Sequence, residues 1–400
     1  MEHLLKAISP INHLKEVEKS FLFPKEVIIS DCILRDGEQM AGLAFSLDDK
    51  VRIAKLLDEL GVNEIESGMP AVSEDDAEAV KRIASSSLDA RVTALARATK
   101  TDIDKVRNLG AWGVSISLPI GDLQRKHKLK WSDEKYIDIC LSLTSYAKEQ
   151  GLYVILSPYD TTRVDLNFYE RFLKALKSEG TVDRIRIVDT VGSAHPESLR
   201  YLTRYIKNIY DVELEVHCHD DFGLGTANTI AALSSGAEVA SVTMNGIGER
   251  SGNTALEEVV TALDVLYGVN TKVNLSKLKE VSEKIESITG ISLQPHKAVV
   301  GKNSFRHESG MIVAGIIEEP FVAEAIRPER VGQKREIVVG KGSGIVSLLH
   351  KLKELQVDET AVNGTVLLNK VKNFAIEKRR ALTNEELLDL YHEVQLSHNL

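Results

Sequence analysis

The residues best suited to chemistry are two histidines, His217 and His219, which flank Cys218. On a β-strand, residues two apart project from the same face, so both imidazoles could reach one divalent cation. The acidic segment at residues 36–38 lies far away in the sequence and could add the oxygen ligand that such a cation needs. A His-x-His pair alone is weak evidence, so its meaning depends on where both segments fall in the fold.

The first two thirds of the chain alternate between short β-branched runs and longer amphipathic stretches. Eight strands are predicted, at residues 27–34, 62–67, 91–96, 113–118, 153–157, 184–188, 214–217 and 239–244. Helical patterns lie between them, most clearly at 47–60, 133–149 and 196–209. Such alternation indicates a parallel sheet, and eight β/α units ending near Tyr267 predict a closed (β/α)₈ TIM barrel. An open doubly wound sheet is the alternative, although no Gly-x-Gly-x-x-Gly follows the first strand.

Composition and pattern divide the sequence into four segments. These are an N-terminal extension (1–26), the TIM-barrel catalytic domain (27–270), a linker and lid subdomain (271–345) and a C-terminal helical subdomain (346–400). The lid is Gly-rich, and short strands at 298–300 and 337–339 would make it a small α/β unit. Near the C-terminus, Thr383 followed by Glu386 predicts a capping box for the last helix.

Polar residues cluster at the predicted carboxyl ends of the strands, which is where TIM-barrel enzymes place their chemistry. The candidates, in chain order, are Arg35, Asp36, Gln39, Glu66, Arg97, Thr190, His217, His219 and Asn253. A metal held by one carboxylate, two imidazoles and an amide oxygen would keep open positions that could chelate a 2-oxo acid and polarise its carbonyl. Arg35 could stabilise the alkoxide that forms on attack. Taken singly, Asp36 could instead cap the following helix, and Cys218, between the histidines, is expected in the core.

Bulk composition excludes several classes of protein. The chain has 400 residues and a net charge of −9, without the clustered basic face of a nucleic-acid-binding protein. Its N-terminus has no long apolar run, so neither a signal peptide nor a membrane span is expected. Three scattered cysteines, Cys32, Cys140 and Cys218, argue against a disulfide framework and favour a reducing, cytoplasmic compartment.

Together these motifs resemble a family of metal-dependent barrel enzymes, the 2-isopropylmalate, homocitrate and citramalate synthases, with 3-hydroxy-3-methylglutaryl-CoA lyase as a distant member. Residues 31–39 resemble the opening signature of that family, residues 217–227 its metal-binding strand, and residues 246–253 its Gly-x-Gly-Glu-Arg-x-Gly-Asn loop. Residues 115–119 and 127–129 are most similar to the nitrogen-fixation type of homocitrate synthase.

The resemblance implies a fold, a reaction and a set of roles. By position, Asp36, His217, His219 and Asn253 would bind Mg²⁺, Mn²⁺ or Zn²⁺, Arg35 would polarise the 2-oxo carbonyl, and substrate would be held by Gln39, Glu66, Arg97 and Thr190. The reaction would be a Claisen-type condensation of acetyl-CoA with 2-oxoglutarate or a 2-oxoisovalerate-like acid, in amino-acid biosynthesis. The family also implies a homodimer in which the C-terminal region of one subunit, including residues 298–345, covers the partner's barrel.

The sequence departs from the family at the positions that handle protons. Tyr159 stands where a catalytic glutamate is usual after strand 5, and Ile312 and Gly342 replace histidines of the lid. We therefore expect Tyr159, His307 or Asp160 to take over proton transfer in a synthase. One alternative is a carbon–carbon lyase, although residues 249–251 lack the cysteine of the lyase branch. The other is a non-catalytic homologue that binds a metal and a 2-oxo acid.

Overall fold

The computed structural model describes residues 7–398 of the chain. Two compact units can be distinguished, Asn12–Ser292 and residues 293–398 together with residues 7–11.

The first unit is a closed barrel of eight parallel strands, as predicted. The strands are β1 (Ile28–Asp31), β2 (Glu64–Glu66), β3 (Arg91–Arg97), β4 (Gly113–Pro119), β5 (Tyr153–Tyr159), β6 (Arg184–Asp189), β7 (Glu213–Cys218) and β8 (Val239–Val242). They pair in sequence order, and the pairing of Ile28 with Val239 begins the β1–β8 register that closes the barrel. The chain therefore has a TIM barrel and not a doubly wound open sheet.

Helices surround the barrel and connect its strands. Their bounds are α1 (Lys15–Glu18), α2 (Leu47–Leu60), α3 (Glu74–Ala84), α4 (Lys100–Asn108), α5 (Asp122–Gln124), α6 (Asp133–Glu149), α7 (Leu166–Glu179), α8 (Pro196–Ile209), α9 (Gly225–Leu233), α10 (Leu256–Tyr267) and α11 (Leu278–Thr289). Three of them, α2, α6 and α8, have the predicted bounds, because each begins at a clear cap. Ser46 forms a capping box, Ser132 accepts from the amide of Lys135, and Pro196 occupies the first turn.

The first strand ends earlier than predicted, and this places two site residues. β1 stops at Asp31 because the Asp31 carboxylate accepts hydrogen bonds from the amides of Ile33 and Met244, both at 2.8 Å. The chain then turns, with the amides of Arg35 and Asp36 donating to the carbonyl of Cys32. The turn carries Arg35 and Asp36 at the carboxyl end of the strand and does not continue the sheet.

The second unit is smaller and contains a two-stranded parallel sheet, β9 (Arg306–His307) and β10 (Glu336–Ile337). Its helices are α12 (Gly310–Glu318), α13 (Ile345–Glu354), α14 (Gly364–Lys378) and α15 (Asn384–His398). The last three pack around a core that includes Leu348, Leu367 and Tyr391. The predicted capping box is confirmed, since the amides of Glu386 and Thr383 each bond to the other residue's side chain.

Two strand predictions in this unit need correction. Residues 298–300 form turns and not a strand, because Val299 has a left-handed backbone with φ of 64°. The predicted strand at 337–339 ends at Ile337, since the carbonyl of Val339 accepts instead from the amide of Leu382, just before α15. Within residues 7–398, no helix combines the length and the apolar character needed to cross a membrane.

Candidate active site

Three of the predicted metal ligands converge at the carboxyl end of the barrel. β7 directs His217 to the barrel interior and is followed by His219, and their Nε2 atoms lie 3.4 Å apart. Oδ2 of Asp36 lies 3.9 Å from Nε2 of His217 and 4.0 Å from Nε2 of His219. All three side chains are buried. Atoms at these separations can share one cation at bond lengths of about 2.0–2.3 Å.

The protonation states of the three groups suit metal binding. Burial lowers the pKa of both histidines, and the neighbouring Asp36 only partly opposes this effect, so the imidazoles are neutral at neutral pH. Burial acts to raise the pKa of Asp36, but the guanidinium of Arg35 is the strongest opposing influence, and that pKa is held below its usual range. Two lone pairs and one carboxylate therefore face the same point.

Asn253 completes the donor set from the loop after β8. An isolated bridge with His219 brings it to the cluster, where its Nδ2 donates to Asp36 Oδ2. Its Oδ1 is buried, and no described residue donates a hydrogen bond to it. A buried amide oxygen without a donor is unusual, and this one belongs to a side chain that contacts the carboxylate of Asp36. The residues present therefore fit a divalent cation bound by one carboxylate, two imidazoles and one amide oxygen.

Ser241 is a residue of the candidate site that was not predicted from the sequence. Its Oγ lies 3.0 Å from Nδ1 of His217, to which it is paired in the β7–β8 register. This contact fixes the ring so that Nε2 faces Asp36, as partners behind a ligating histidine commonly do. A polar residue in the apolar strand β8 is the signal that could have revealed it.

Arg35 is held beside the metal cluster by two carboxylates. Its Nε lies 2.7 Å from Oε2 of Glu66, and its Nη1 donates to Oδ1 of Asp36. Burial acts to raise the pKa of Glu66, but Arg186 and Arg35 outweigh it and lower that pKa to about 2. Nη2 of Arg35 makes no hydrogen bond to any described residue and is the donor left for a ligand.

Thr190 lies where three loops of the rim meet. Its Oγ1 accepts from the amide of Asp160 after β5, and its carbonyl accepts from Arg250 after β8, each at 2.7 Å.

Arg97 and Gln39 lie apart from these contacts. Arg97 is mostly exposed and forms a bidentate pair with Asp102, and Gln39 is exposed at the end of a short 3₁₀ turn. The hydrogen bonds and ion pairs of the described residues link neither of these two to the metal cluster.

The candidates for proton transfer differ in their surroundings. Tyr159 is the last residue of β5 and is half-buried, with Nζ of Lys128 lying 5.5 Å from its ring centre. The carboxylate of Asp160 is fully buried and paired with Arg163, so it is not free to act as a base. In the second unit, Nε2 of His307 lies 3.1 Å from a carboxylate oxygen of Glu324.

The structure decides whether Asp36 serves as a helix cap, and it places Cys218. Asp36 makes no side-chain cap to the short helix that follows it, so the capping interpretation is wrong. Cys218 is fully buried, as expected for a residue that faces away from the metal cluster.

The glycines of the loop after β8 have a steric role, because a Cβ at Gly248 would lie 2.6 Å from Cγ of Asn253.

Fold and site together define a TIM barrel in which a cluster of groups that fits a divalent metal lies at the carboxyl ends of the strands, with an arginine fixed beside it. The HMGL-like family model matches residues 26–285, and a model described as "Homocitrate synthase post-HMGL domain-like" matches residues 299–379. The chain belongs to this family.

The relatives are named synthases. The chain is 41% identical over 382 residues to homocitrate synthase AksA of Methanopyrus kandleri, covering 96% of both proteins. It is 40% identical to 2-isopropylmalate synthase 2 of Caldanaerobacter subterraneus subsp. tengcongensis, covering 94% of this chain and 97% of that one. Among solved structures, an HMG-CoA lyase of Bacillus subtilis has the same fold at 21% identity and a TM-score of 0.62, covering 70% of this chain and 98% of the lyase.

Proposed function

We propose that the protein condenses acetyl-CoA with a 2-oxo acid in a metal-dependent Claisen-type reaction, giving a 2-hydroxy di- or tricarboxylic acid and CoA. The class of reaction follows from the family, whose homocitrate and 2-isopropylmalate synthases are acetyl-CoA-dependent acyltransferases. The observation that carries the proposal is the position of Arg35 directly beside the Asp36, His217 and His219 cluster. The relatives favour a synthase over the lyase alternative.

The 2-oxo acid half of the site is built from the first, second and seventh strands. A divalent metal, when bound, would act as a Lewis acid for the carbonyl and carboxylate of the substrate. Arg35 is placed to donate a hydrogen bond where negative charge develops on the carbonyl oxygen. Glu66 and Asp36 hold that guanidinium, which therefore needs little reorganisation during the reaction.

The acetyl half of the reaction needs a group that removes a proton from the methyl next to the thioester. We assign this role to Tyr159, which ends β5 at the rim and is flanked by Lys128. His307 is the second candidate, and it would act from a partner subunit if the C-terminal unit of one chain covers the barrel of another. Its contact with Glu324 would fix the orientation of the ring.

A homodimer with an exchanged C-terminal unit is part of the proposal. In support, α12 and the turn after it present apolar side chains to solvent, with Met311 87% and Val322 63% exposed. An apolar surface of this kind commonly marks an interface.

The substrate and the metal are finer points of the proposal. 2-Oxoglutarate is the first acid to test, because homocitrate synthase AksA is among the relatives and the β4 segment resembles homocitrate synthases. A ligand set of one carboxylate, two imidazoles and an amide oxygen is compatible with Mg²⁺, Mn²⁺ and Zn²⁺.

The test is an assay of thiol release. Protein stripped of metal with a chelator is supplied with one of the three cations, acetyl-CoA, and 2-oxoglutarate, 2-oxoisovalerate or pyruvate in turn. We expect free CoA to appear with one acid and to require metal. Cleavage of 3-hydroxy-3-methylglutaryl-CoA without thiol release would support a lyase. Metal-dependent binding of a 2-oxo acid without either reaction would support a binding protein.

A further inference from the structure

The interior of the barrel contains a ladder of buried charges below the metal cluster. Alternate positions on three strands carry them, namely Glu64 and Glu66 on β2, Arg184 and Arg186 on β6, and Glu215 on β7. Each residue is at most 1% exposed. TIM-barrel interiors are dominated by bulky branched residues, so this much buried charge calls for an explanation.

Arg186 is the link between this ladder and the site. Its Nη1 lies 3.0 Å from Oε1 of Glu66, and its Nη2 lies 2.9 Å from Oε1 of Glu215. The other oxygen of Glu66 accepts from Nε of Arg35. Glu66 is therefore shared between the buried Arg186 and the Arg35 that faces the metal cluster. Glu215 lies two residues before the metal ligand His217 on β7.

We propose that Arg186 is a positioning residue, which fixes the guanidinium of Arg35 by holding Glu66 in place. Through Glu215 it also ties this arrangement to the strand that carries His217. The inference rests on the proposed function, since it concerns how Arg35 meets the 2-oxo carbonyl. Arg186 acts through these two carboxylates and is not itself a catalytic residue.

The physical reason is that a carboxylate buried between two guanidinium groups has one favourable orientation. Without Arg186, Glu66 would keep a single cationic partner, and Glu215 would lose its closest one. An uncompensated buried charge is costly, so the local structure would rearrange. Arg35 would then lose the contact that sets the direction of its Nε, while the Asp36, His217 and His219 ligands would remain.

Arg184 provides a matched control on the same strand. It is also an arginine, is fully buried, and has Nη1 3.5 Å from Glu215. Its main partner is Glu64, whose two carboxylate oxygens lie 2.6 and 2.9 Å from its Nη1 and Nη2 atoms. The hydrogen bonds from this strand to Glu66 are donated by Arg186 instead. A purely structural role for buried charge predicts the same behaviour for both arginines.

The experiment compares Arg186→Met with Arg184→Met, and Arg186→Lys with Arg184→Lys, in the full chain. We expect all four to bind metal and the two Met variants to lower the thermal midpoint by similar amounts. Arg186→Met should lower kcat about 10- to 100-fold, because small misplacements of a catalytic group have effects of this size. Its KM for the 2-oxo acid should stay within about threefold, as for an interaction made in the transition state. Arg186→Lys should recover part of kcat, and Arg184→Met should keep kcat within about threefold.

Three results would overturn the proposal: equal losses of kcat at both positions, a rise in KM with kcat retained, or additive effects with Arg35→Met. Additivity is informative because a residue that acts through Arg35 should add nothing once Arg35 is gone. If the Met variants do not fold, the lysine pair decides, and equal kcat values for Arg186→Lys and Arg184→Lys count against the proposal. Absence of turnover in the unmodified protein would contradict the proposed function instead. In that case crystal structures of the variants test the positioning role of Arg186, since the side chain of Arg35 should move in the Arg186 variants alone.

Discussion

At the scale of single residues, the metal proposal depends on three buried donor groups whose charges are set by their neighbours. His217 and His219 are kept neutral by burial, and Asp36 is kept ionised mainly by Arg35. These residue types and their meeting at the strand ends were predictable from the sequence. The role of Ser241 was not, because it depends on the register between β7 and β8.

The first prediction concerns the ligands themselves. His217→Ala should abolish tight metal binding, and Ser241→Ala should weaken it about 10- to 100-fold, since it removes only the partner of Nδ1. Metal content after dialysis, followed by calorimetric titration, measures both effects. The control is His195→Ala, which removes a histidine that caps α8. Unchanged metal content in His217→Ala would show that the site has been placed wrongly.

The second prediction concerns the position where the chain departs from its family. Tyr159→Phe keeps the ring beside Lys128 but removes the hydroxyl, so turnover should fall about 10²–10⁴-fold if this hydroxyl transfers the proton. Metal affinity should not change. Steady-state thiol release measures the loss of turnover. Full activity in Tyr159→Phe would show that another group transfers the proton, and His307→Ala would then be the next variant to assay.

At the scale of elements, capped helices were predicted well and strand ends less well. The bounds of α2, α6 and α8 match the sequence prediction because cap residues are local signals. The end of β1 depends on Asp31 binding the amide of Met244, more than 200 residues later, and no local pattern shows this. The buried charges were visible in the sequence as the alternating segments Glu64-Ile65-Glu66 and Arg184-Ile185-Arg186. Their pairing could not be predicted, because it joins β2 to β6, which are not neighbours in the barrel.

The third prediction belongs to the loop after β8. Gly248→Ala should weaken metal binding as Asn253→Ala does, because the added methyl would occupy the space of the Asn253 side chain. The thermal midpoint should change little, since the loop lies at the rim. Calorimetric titration with Mn²⁺ compares the two variants, and wild-type affinity in both would remove Asn253 from the proposed ligand set.

At the scale of the whole molecule, buried ion pairs make stability depend on pH. The pKa of Glu66 is lowered to about 2 in the folded chain, whereas a glutamate in the unfolded chain titrates near 4.5. The unfolded chain therefore binds more protons between these values, and the contribution of Glu66 to stability is present above pH 4.5 and lost as the pH falls towards 2.

The fourth prediction follows from this linkage. Denaturant unfolding across the acidic range should show the free energy of unfolding falling below pH 4.5, with a shallower slope in Glu66→Gln. The matched control is Glu149→Gln, which changes an exposed glutamate at the end of α6. Identical slopes in the Glu66 variant and the unmodified protein would mean that Glu66 is not ionised in the folded chain.

The fifth prediction concerns assembly. If a second copy covers the exposed apolar surface of α12, then Met311→Glu should raise the dimer dissociation constant at least about tenfold. Leu123→Glu is the control, since Leu123 is an exposed apolar residue of the barrel unit. Sedimentation velocity over a range of concentrations measures the dimer dissociation constant of both variants. If the unmodified protein is a monomer at all concentrations, the proposed dimer is contradicted.

One measurement tests the metal-dependent condensation most directly, namely release of CoA from acetyl-CoA by the stripped protein before and after metal is returned. We predict release that requires both a divalent cation and one 2-oxo acid, and that is lost in His217→Ala. Release that persists in the stripped protein, or that is retained in His217→Ala, would contradict a reaction centred on Asp36, His217 and His219.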